Sequence, residues 1–325
     1  MNWKNRKVLV TGAAGFIGSH LVEELVACGA DVTAFVRYTS YSSIGFLTSL
    51  AERIRIVTGD ITEYENVYDV VKDQEYVFHL AALIGVPYSF VHPNEVVSVN
   101  TIGSLNVLTA AREMKPSRVI LTSTSEVYGT ARYVPIDENH PLHAQSPYAA
   151  SKIAADKLGE AFYHSYGLPV SIARPFNAFG PRQSARAVIP TIIAQALSNS
   201  RIMLGAISPT RDFTFVKDTV HGFMKIAEVD EAVGDVMNIG TGQEISIGDL
   251  ANKIASLIGR DVQIVFDENR LRPGSSEVER LCCDNSKARR ILRWSPQYSL
   301  DEGLQETILW MKTSGPVGRP GSYRI

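Results

Sequence analysis

The chain has 325 residues, 45% hydrophobic and 20% charged, with 32 Lys+Arg against 34 Asp+Glu for a formal net charge of −2. At ~150 residues per domain this length predicts about two domains with full cores. The composition excludes a disordered chain, a fibrous repeat and a disulfide-framed miniprotein, and the balanced charge predicts no nucleic-acid partner.

Three cysteines, Cys28, Cys282 and Cys283, are too few for a disulfide framework. With seven scattered histidines and no Cys-x-x-Cys pair, no metal site is expected. Residues 1–7 lead straight into an apolar strand without a secretory pattern, and no apolar run reaches ~18 residues. These absences predict a cytoplasmic protein with no membrane partner.

Lys7–Thr11 (KVLVT) reads as a short buried strand, and residues 12–18 (GAAGFIG) as a glycine-punctuated turn. A helix is predicted over 19–28, with Leu21, Val22, Leu25 and Val26 on one side and Gly29 as its stop. Strands follow at Asp31–Arg37, 54–58, 76–80, Arg118–Thr122 and 170–173, with helices at 96–114 and Pro147–Tyr166 between them. This alternation predicts an α/β fold with a doubly wound parallel sheet of the Rossmann type. Beyond Arg174 prolines and glycines become frequent, and a smaller C-terminal lobe is predicted. Its pieces are a helix at 189–197, strand-like runs at Arg201–Leu204 and 213–216, and helices at Ile247–Ile258, 286–292 and 300–311. A helix at 219–227 and a strand at Val236–Ile239 return to the first domain. The tail, 313–325, is rich in Gly, Pro and Ser and is expected to be mobile or to bind a partner.

Gly12, Gly15 and Gly18 stand between a strand and a helix, where the backbone must approach a pyrophosphate and a Cβ would block it. The spacing is G-x-x-G-x-x-G, and its place on the first strand–helix junction points to a dinucleotide. The end of the second strand offers Arg37 in place of the carboxylate that usually holds a ribose 2′-OH. Arg37, with Ser40, Ser42 and Ser43 behind it, suits a 2′-phosphate or flanks the adenine, which leaves NAD and NADP both open. Asp60, after the third strand, suits the adenine amino group.

Tyr148 and Lys152 are four residues apart on a predicted helix capped by Ser146, with Pro147 at its first position, so they share a face. A tyrosine near pKa 10 is a weak base at neutral pH. A lysine ammonium and a nicotinamide cation nearby would favour its phenolate. Upstream, Thr124 is placed to hydrogen-bond a reacting hydroxyl, and Glu126 to take an acidic proton beside a ketone.

Together these residues resemble the extended short-chain dehydrogenase/reductase family that acts on nucleotide sugars. The resemblance runs through TGAAGFIG (11–18), GD (59–60), HLAA (79–82), VN (99–100), TSTSEVYG (122–129), YAASK (148–152), RPFNAFGPRQ (174–183), RDF (211–213) and NIGTG (238–242). It implies catalytic roles for Thr124, Glu126, Tyr148 and Lys152. It implies cofactor contacts for Gly12, Gly15, Phe16, Ile17, Gly18, Arg37, Asp60, Ile61, Leu80, Ala81, Ala82, Asn100, Thr122, Tyr148, Lys152 and Pro175. Ser125, Asn177, Arg182, Arg211 and Arg272 are implied for the substrate, the arginines for its diphosphate and sugar. Residues 1–175 with about 217–242 then form the NAD(P)-binding domain, and 176–216 with 243–325 the nucleotide-sugar lobe. A homodimer through a four-helix bundle, built on 96–114 and the Tyr148 helix, is also implied.

The family divides into 4-epimerases, 4,6-dehydratases and UDP-glucuronate decarboxylases. FVRYTS (35–40), SARAVIPTII (184–193) and SEVERLCCDNSKA (276–288) look like the N-acetylhexosamine 4,6-dehydratases of the legionaminate pathway. Those act on UDP- or GDP-N-acetylglucosamine. The triplet Thr124-Ser125-Glu126 lacks the acid that dTDP-glucose dehydratases carry at its centre. It is shared with GDP-mannose dehydratases and with the decarboxylases. An epimerase or decarboxylase on the same scaffold therefore stays open, as does a dinucleotide-binding scaffold without turnover, against which the intact Thr124, Tyr148 and Lys152 argue.

Overall fold

The computed structural model describes residues 2–38, 44–272 and 276–314. Ser40, Ser42 and Ser43 and most of the predicted tail lie outside them. The first half contains β1 (Lys7–Thr11), α1 (Phe16–Ala27), β2 (Asp31–Arg37), β3 (Arg55–Gly59), α2 (Tyr64–Val71), β4 (Tyr76–His79), α3 (Val86–Val91), α4 (Pro93–Val97), α5 (Gly103–Met114), β5 (Arg118–Thr122), α6 (Pro147–Tyr166) and β6 (Val170–Pro175). The second half contains β7 (Ala178–Phe179), α7 (Val188–Ser198), β8 (Arg201–Leu204), β9 (Thr210–Arg211), β10 (Thr214–Phe215), α8 (Val216–Glu228), β11 (Val236–Ile239), β12 (Ile245–Ser246), α9 (Ile247–Ile258), β13 (Gln263–Phe266), β14 (Arg280–Leu281) and α10 (Leu300–Ser314).

Seven strands form one parallel sheet in the order β11-β6-β5-β4-β1-β2-β3. Side chains alternate across it, so Leu9 joins the core under α2, α5 and α6, while Val8 and Val10 join the core under α1 and α8. The order reverses beside β1, where Thr11 is paired with Phe35 of β2 on one side and His79 of β4 on the other. Loops leaving the carboxyl ends of β1 and β4 thus face one another across the crevice where such sheets bind ligands.

The bounds of β1, β2, β5 and α6 agree with the sequence expectation. α1 begins at Phe16 rather than residue 19. Gly18 reads as a breaker in sequence, yet it lies within α1, and glycine is required there because a Cβ would lie 2.2 Å from the Gly12 carbonyl oxygen. The single helix expected over 96–114 is α4 and α5 joined by a π-turn at Ser98–Ile102. The remaining strands form three small sheets among the described residues: β10-β7, β12-β9-β14 and β13-β8. Asp212 ties the β12-β9-β14 sheet to the end of β11, accepting from Thr241 N at 2.9 Å, Gly242 N at 2.8 Å and Cys283 N at 3.2 Å.

Candidate active site

The glycine turn is built differently from the expectation. Gly12 has φ +68°, and a Cβ there would sit 2.8 Å from Ala81 N, so the β4 loop itself requires glycine. Gly18 is required by the Gly12 carbonyl, and Gly15 meets that carbonyl less tightly, at 3.1 Å. These glycines first let the protein's own loops nest. The ligand argument rests instead on α1, whose N-cap is Gly15 and whose first turn has neither a side-chain cap nor an acid. Its unbonded N–H groups, near Phe16 and Ile17, suit a pyrophosphate. Opposite, Thr11 Oγ1 accepts from Leu80 N at 3.2 Å and Ala81 N at 3.1 Å, holding the loop that runs to Ala82.

At the outer edge, Asp60 Oδ1 accepts from Thr62 N at 2.9 Å and Thr62 Oγ1 at 2.8 Å. Its other oxygen lies 3.9 Å from Arg37 Nε. Burial works to raise the Asp60 pKa, but the Thr62 hydrogen bonds and Arg37 hold it below the usual carboxylate range. Ile61 packs against Gly103 at the foot of α5. The π-turn aims Asn100 inward, and its amide is spent on the Leu83 backbone (2.8 and 3.0 Å) and Ser151 Oγ (3.0 Å). Asn100 thus shapes the β4 loop. Pro175 ends β6, paired with Ile239.

Ser146 caps α6 by accepting from Ala149 N at 3.1 Å, with Pro147 in its first turn. Tyr148 and Lys152 are buried on the inner face of that helix. Burial raises the Tyr148 pKa, the Thr124 side chain opposes the rise, and Glu126 and Asp156 reinforce it. Lys152, expected to favour the phenolate, points its ammonium at the Thr122 carbonyl on β5 at 2.6 Å. Burial brings its pKa down to about 8, against the pull of Asp156. Thr122 Oγ1 and Asn177 Nδ2 are buried without hydrogen-bond partners. Such orphan groups are uncommon in folded proteins and fit a ligand-binding crevice.

Thr124 caps the short turn Ser125–Tyr128, accepting from Glu126 N at 3.2 Å. The turn buries Ser125 and directs Glu126 to Arg272, whose Nη1 lies 3.5 Å from Glu126 Oε2. Arg211 is buried on β9 and donates to Glu277 Oε1 at 3.1 Å, while Arg272 Nε lies 3.7 Å from Glu277 Oε2. Burial lowers the Arg211 pKa, with Glu126 and Glu277 working against that and Arg272 adding to it. Two carboxylates and two guanidiniums therefore interleave beside Tyr148. Glu277 lies inside a motif that sequence reading used only for kinship. Arg182 is not in this group: its guanidinium bonds Glu23 Oε1 at 2.7 Å and stacks over Phe46.

Behind these residues Arg174 gives Nε and Nη2 to Asp156 Oδ2 at 3.0 and 2.9 Å, and Nη1 to the Tyr128 hydroxyl at 2.9 Å. Tyr128 in turn donates to Asn238 Oδ1 at 2.7 Å. Sequence reading missed this relay because Tyr128, Arg174 and Asn238 lie in three different motifs and Asp156 in none of them.

Comparison with known proteins shows the family. A family profile for GDP-mannose 4,6 dehydratase matches residues 9–307. The chain belongs to that family, within the NAD-dependent epimerase/dehydratase superfamily. Members differ in the reaction they run. The chain is 33% identical over 313 residues to a putative UDP-glucose 4-epimerase of Methanocaldococcus jannaschii, covering 94% of this chain and 99% of that protein. It is 34% identical to a UDP-N-acetyl-alpha-D-glucosaminuronate decarboxylase of Bacillus cytotoxicus, covering 94% and 98%. The solved dTDP-glucose 4,6-dehydratase DesIV of Streptomyces venezuelae superposes with a TM-score of 0.86 at 29% identity, covering 94% of this chain and 96% of that one. The chain is an enzyme of the nucleotide-sugar-modifying class. Among the described residues no helix is long and apolar enough to cross a membrane, and no cluster of His, Cys, Asp and Glu is arranged to hold a metal ion.

Proposed function

We propose that the protein is a nucleotide-sugar 4,6-dehydratase that converts UDP- or GDP-N-acetylglucosamine to the 4-keto-6-deoxy sugar. The observation that carries this reading is the Glu126 carboxylate beside Tyr148 and Thr124, where a base for C5 is needed. The sequence resemblance to N-acetylhexosamine dehydratases supports it, as does the dehydratase profile.

The cofactor is NAD, the dinucleotide bound in DesIV. The uncapped α1 N-terminus, Asp60 and Thr122 suit it. When bound, NAD supplies a cationic nicotinamide that accepts the C4 hydride and returns it at C6. Thr124 holds the O4 hydroxyl, and Tyr148 takes its proton, becoming a competent base once cationic charge stands beside it. Glu126 then takes the C5 proton, made acidic by the adjacent ketone. The C6 hydroxyl leaves as water, with its proton coming from Glu126 or through water near Ser125. Arg211, Arg272 and Asn177 hold the nucleotide diphosphate and sugar.

A second reading has a specific observation in its favour. Arg272 and Arg211 beside Glu126 are also suited to a uronate carboxylate, as a decarboxylase requires. On either reading residues 1–175 with 217–242 hold the dinucleotide and the remainder holds the substrate. Two copies would pair through the segment 96–114 and α6, where Val97 at the end of α4, Ile102 of the π-turn and Tyr166 of α6 are exposed. A monomeric mass by light scattering would count against that pairing.

Mass spectrometry separates the reactions. Incubation with UDP- and GDP-N-acetylglucosamine in deuterated water should give a product lighter by one water and deuterated at C5. An unchanged sugar mass with altered chromatography indicates epimerisation. Loss of carbon dioxide from a UDP-uronate indicates decarboxylation.

A further inference from the structure

Asp156 touches no atom of the proposed reaction centre, yet among the described residues it is one of the most deeply buried charges. It lies one helical turn beyond Lys152 on α6, so the two side chains share a face. Its Oδ2 is gripped by Arg174 through two nitrogens, and Arg174 is itself fixed by Tyr128, which Asn238 holds from β11. Lys152 is held from the other side by the Thr122 carbonyl. The carboxylate is thus paired directly with Arg174, and it acts on Lys152 through its charge, one helical turn away on the same face. An arginine–aspartate pair serving stability alone needs no third charge beside it, and buried pairs are often replaceable by apolar residues without loss.

We propose that Asp156 is a positioning residue for Lys152, the anchored counter-charge that keeps Lys152 a cation aimed at the cofactor and Tyr148. Burial pushes the Asp156 pKa up, and the Arg174 guanidinium, with Ser123 and Lys152, opposes that rise and favours the carboxylate. The groups facing Lys152 are few. Tyr148 precedes it by one turn on α6, the Thr122 carbonyl faces it from β5, and His79 faces it from β4. His79 carries no charge at neutral pH, since burial, with Lys152 adding to it, brings its pKa down to about 3. Asp156 is therefore the facing group with a charge opposite to the ammonium. Without it, burial drives the Lys152 pKa below its present value near 8 and into the working range of the enzyme.

The role of Lys152 rests on the proposed reaction, so the primary readout avoids turnover. Lysine side-chain NMR on 13Cε-labelled protein, assigned with Lys152→Met, gives the Lys152 midpoint directly. Asp156→Asn should lower that midpoint by about one pH unit or more. Asp156→Glu should restore it. An unchanged midpoint in a folded Asp156→Asn protein overturns the proposal. If that variant does not fold, the paired change Asp156→Asn with Arg174→Met removes both charges of the anchor and should show the same fall. In the wild-type protein, the Asp156 13Cγ shift must report an ionised carboxylate at neutral pH, and a protonated one overturns the proposal however the variants behave. With a turned-over substrate, the alkaline limb of kcat should move down with the midpoint while KM stays. Failure of every nucleotide sugar to react would count against the dehydratase reading and leave the NMR result intact.

Discussion

Arg272 and Glu126 lie 146 residues apart in sequence, and their charged groups meet at 3.5 Å. The carboxylate proposed to take the C5 proton is thus held by a guanidinium proposed to bind substrate phosphate. Glu126→Gln should therefore separate the half-reactions. Loss of a positioned general base costs roughly 10²–10⁴-fold, so dehydration should fall by that factor. Deuterium uptake at C5 should fall with it, while reduction of bound NAD at C4 persists. Equal loss of both steps would place Glu126 in binding.

Lys152 is kept in a site that works against its charge. Its folded pKa is brought down to about 8 from an ordinary 10.5. Between those values the unfolded chain keeps a proton that the folded chain has released, so stability rises with pH across that window. Below about pH 8 the full penalty is present, on the order of 3 kcal/mol. Lys152→Met should be inactive yet more resistant to urea at pH 7, with the difference fading as pH passes 10. Equal urea midpoints at pH 7 would show that Asp156 and Thr122 fully compensate the burial.

The parts legible in the sequence are those with local cause. Lys7–Thr11 and Asp31–Arg37 are short apolar runs flanked by turn residues, and Ser146-Pro147 marks the start of α6 by capping chemistry. The two-residue strands β9, β12 and β14 carry no period to read, and their register is set by Asp212 and by distant partners. Glu277 was invisible as a site residue because its meaning comes from Arg211 and Arg272, which only the folded lobe brings to it. The π-turn that aims Asn100 at Leu83 is a one-residue deviation inside a helical pattern, and periodicity does not register it.

Arg37 and Asp60 form a loose pair at 3.9 Å, and Arg37 is largely exposed. A 2′-phosphate brought to Arg37 would also meet the Asp60 carboxylate, which its partners keep ionised. Calorimetry should show NAD bound at least ~10-fold more tightly than NADP, about the worth of one unscreened charge contact near a surface. Asp60→Asn should narrow that gap. Tighter binding of NADP to the wild-type protein would assign Arg37 to the phosphate after all.

Arg182 and Arg211 belong to neighbouring motifs and resemble each other in sequence, yet the fold gives them different surroundings. Arg182 spans from the β7 segment to α1, bonded to Glu23 and stacked on Phe46. Its removal should cost about 1 kcal/mol of stability, from a partly exposed ion pair with a cation–π contact. Substrate affinity should not change. Arg211 is buried beside Arg272 and Glu277, and the Glu126 charge acts on it. Arg211→Ala should raise KM for a nucleotide sugar by roughly 10- to 100-fold, the worth of a hydrogen bond to a charged group. Thermal melts and KM on both variants decide the matter: a raised KM in Arg182→Ala would mean that the loop carrying it swings to the substrate on binding.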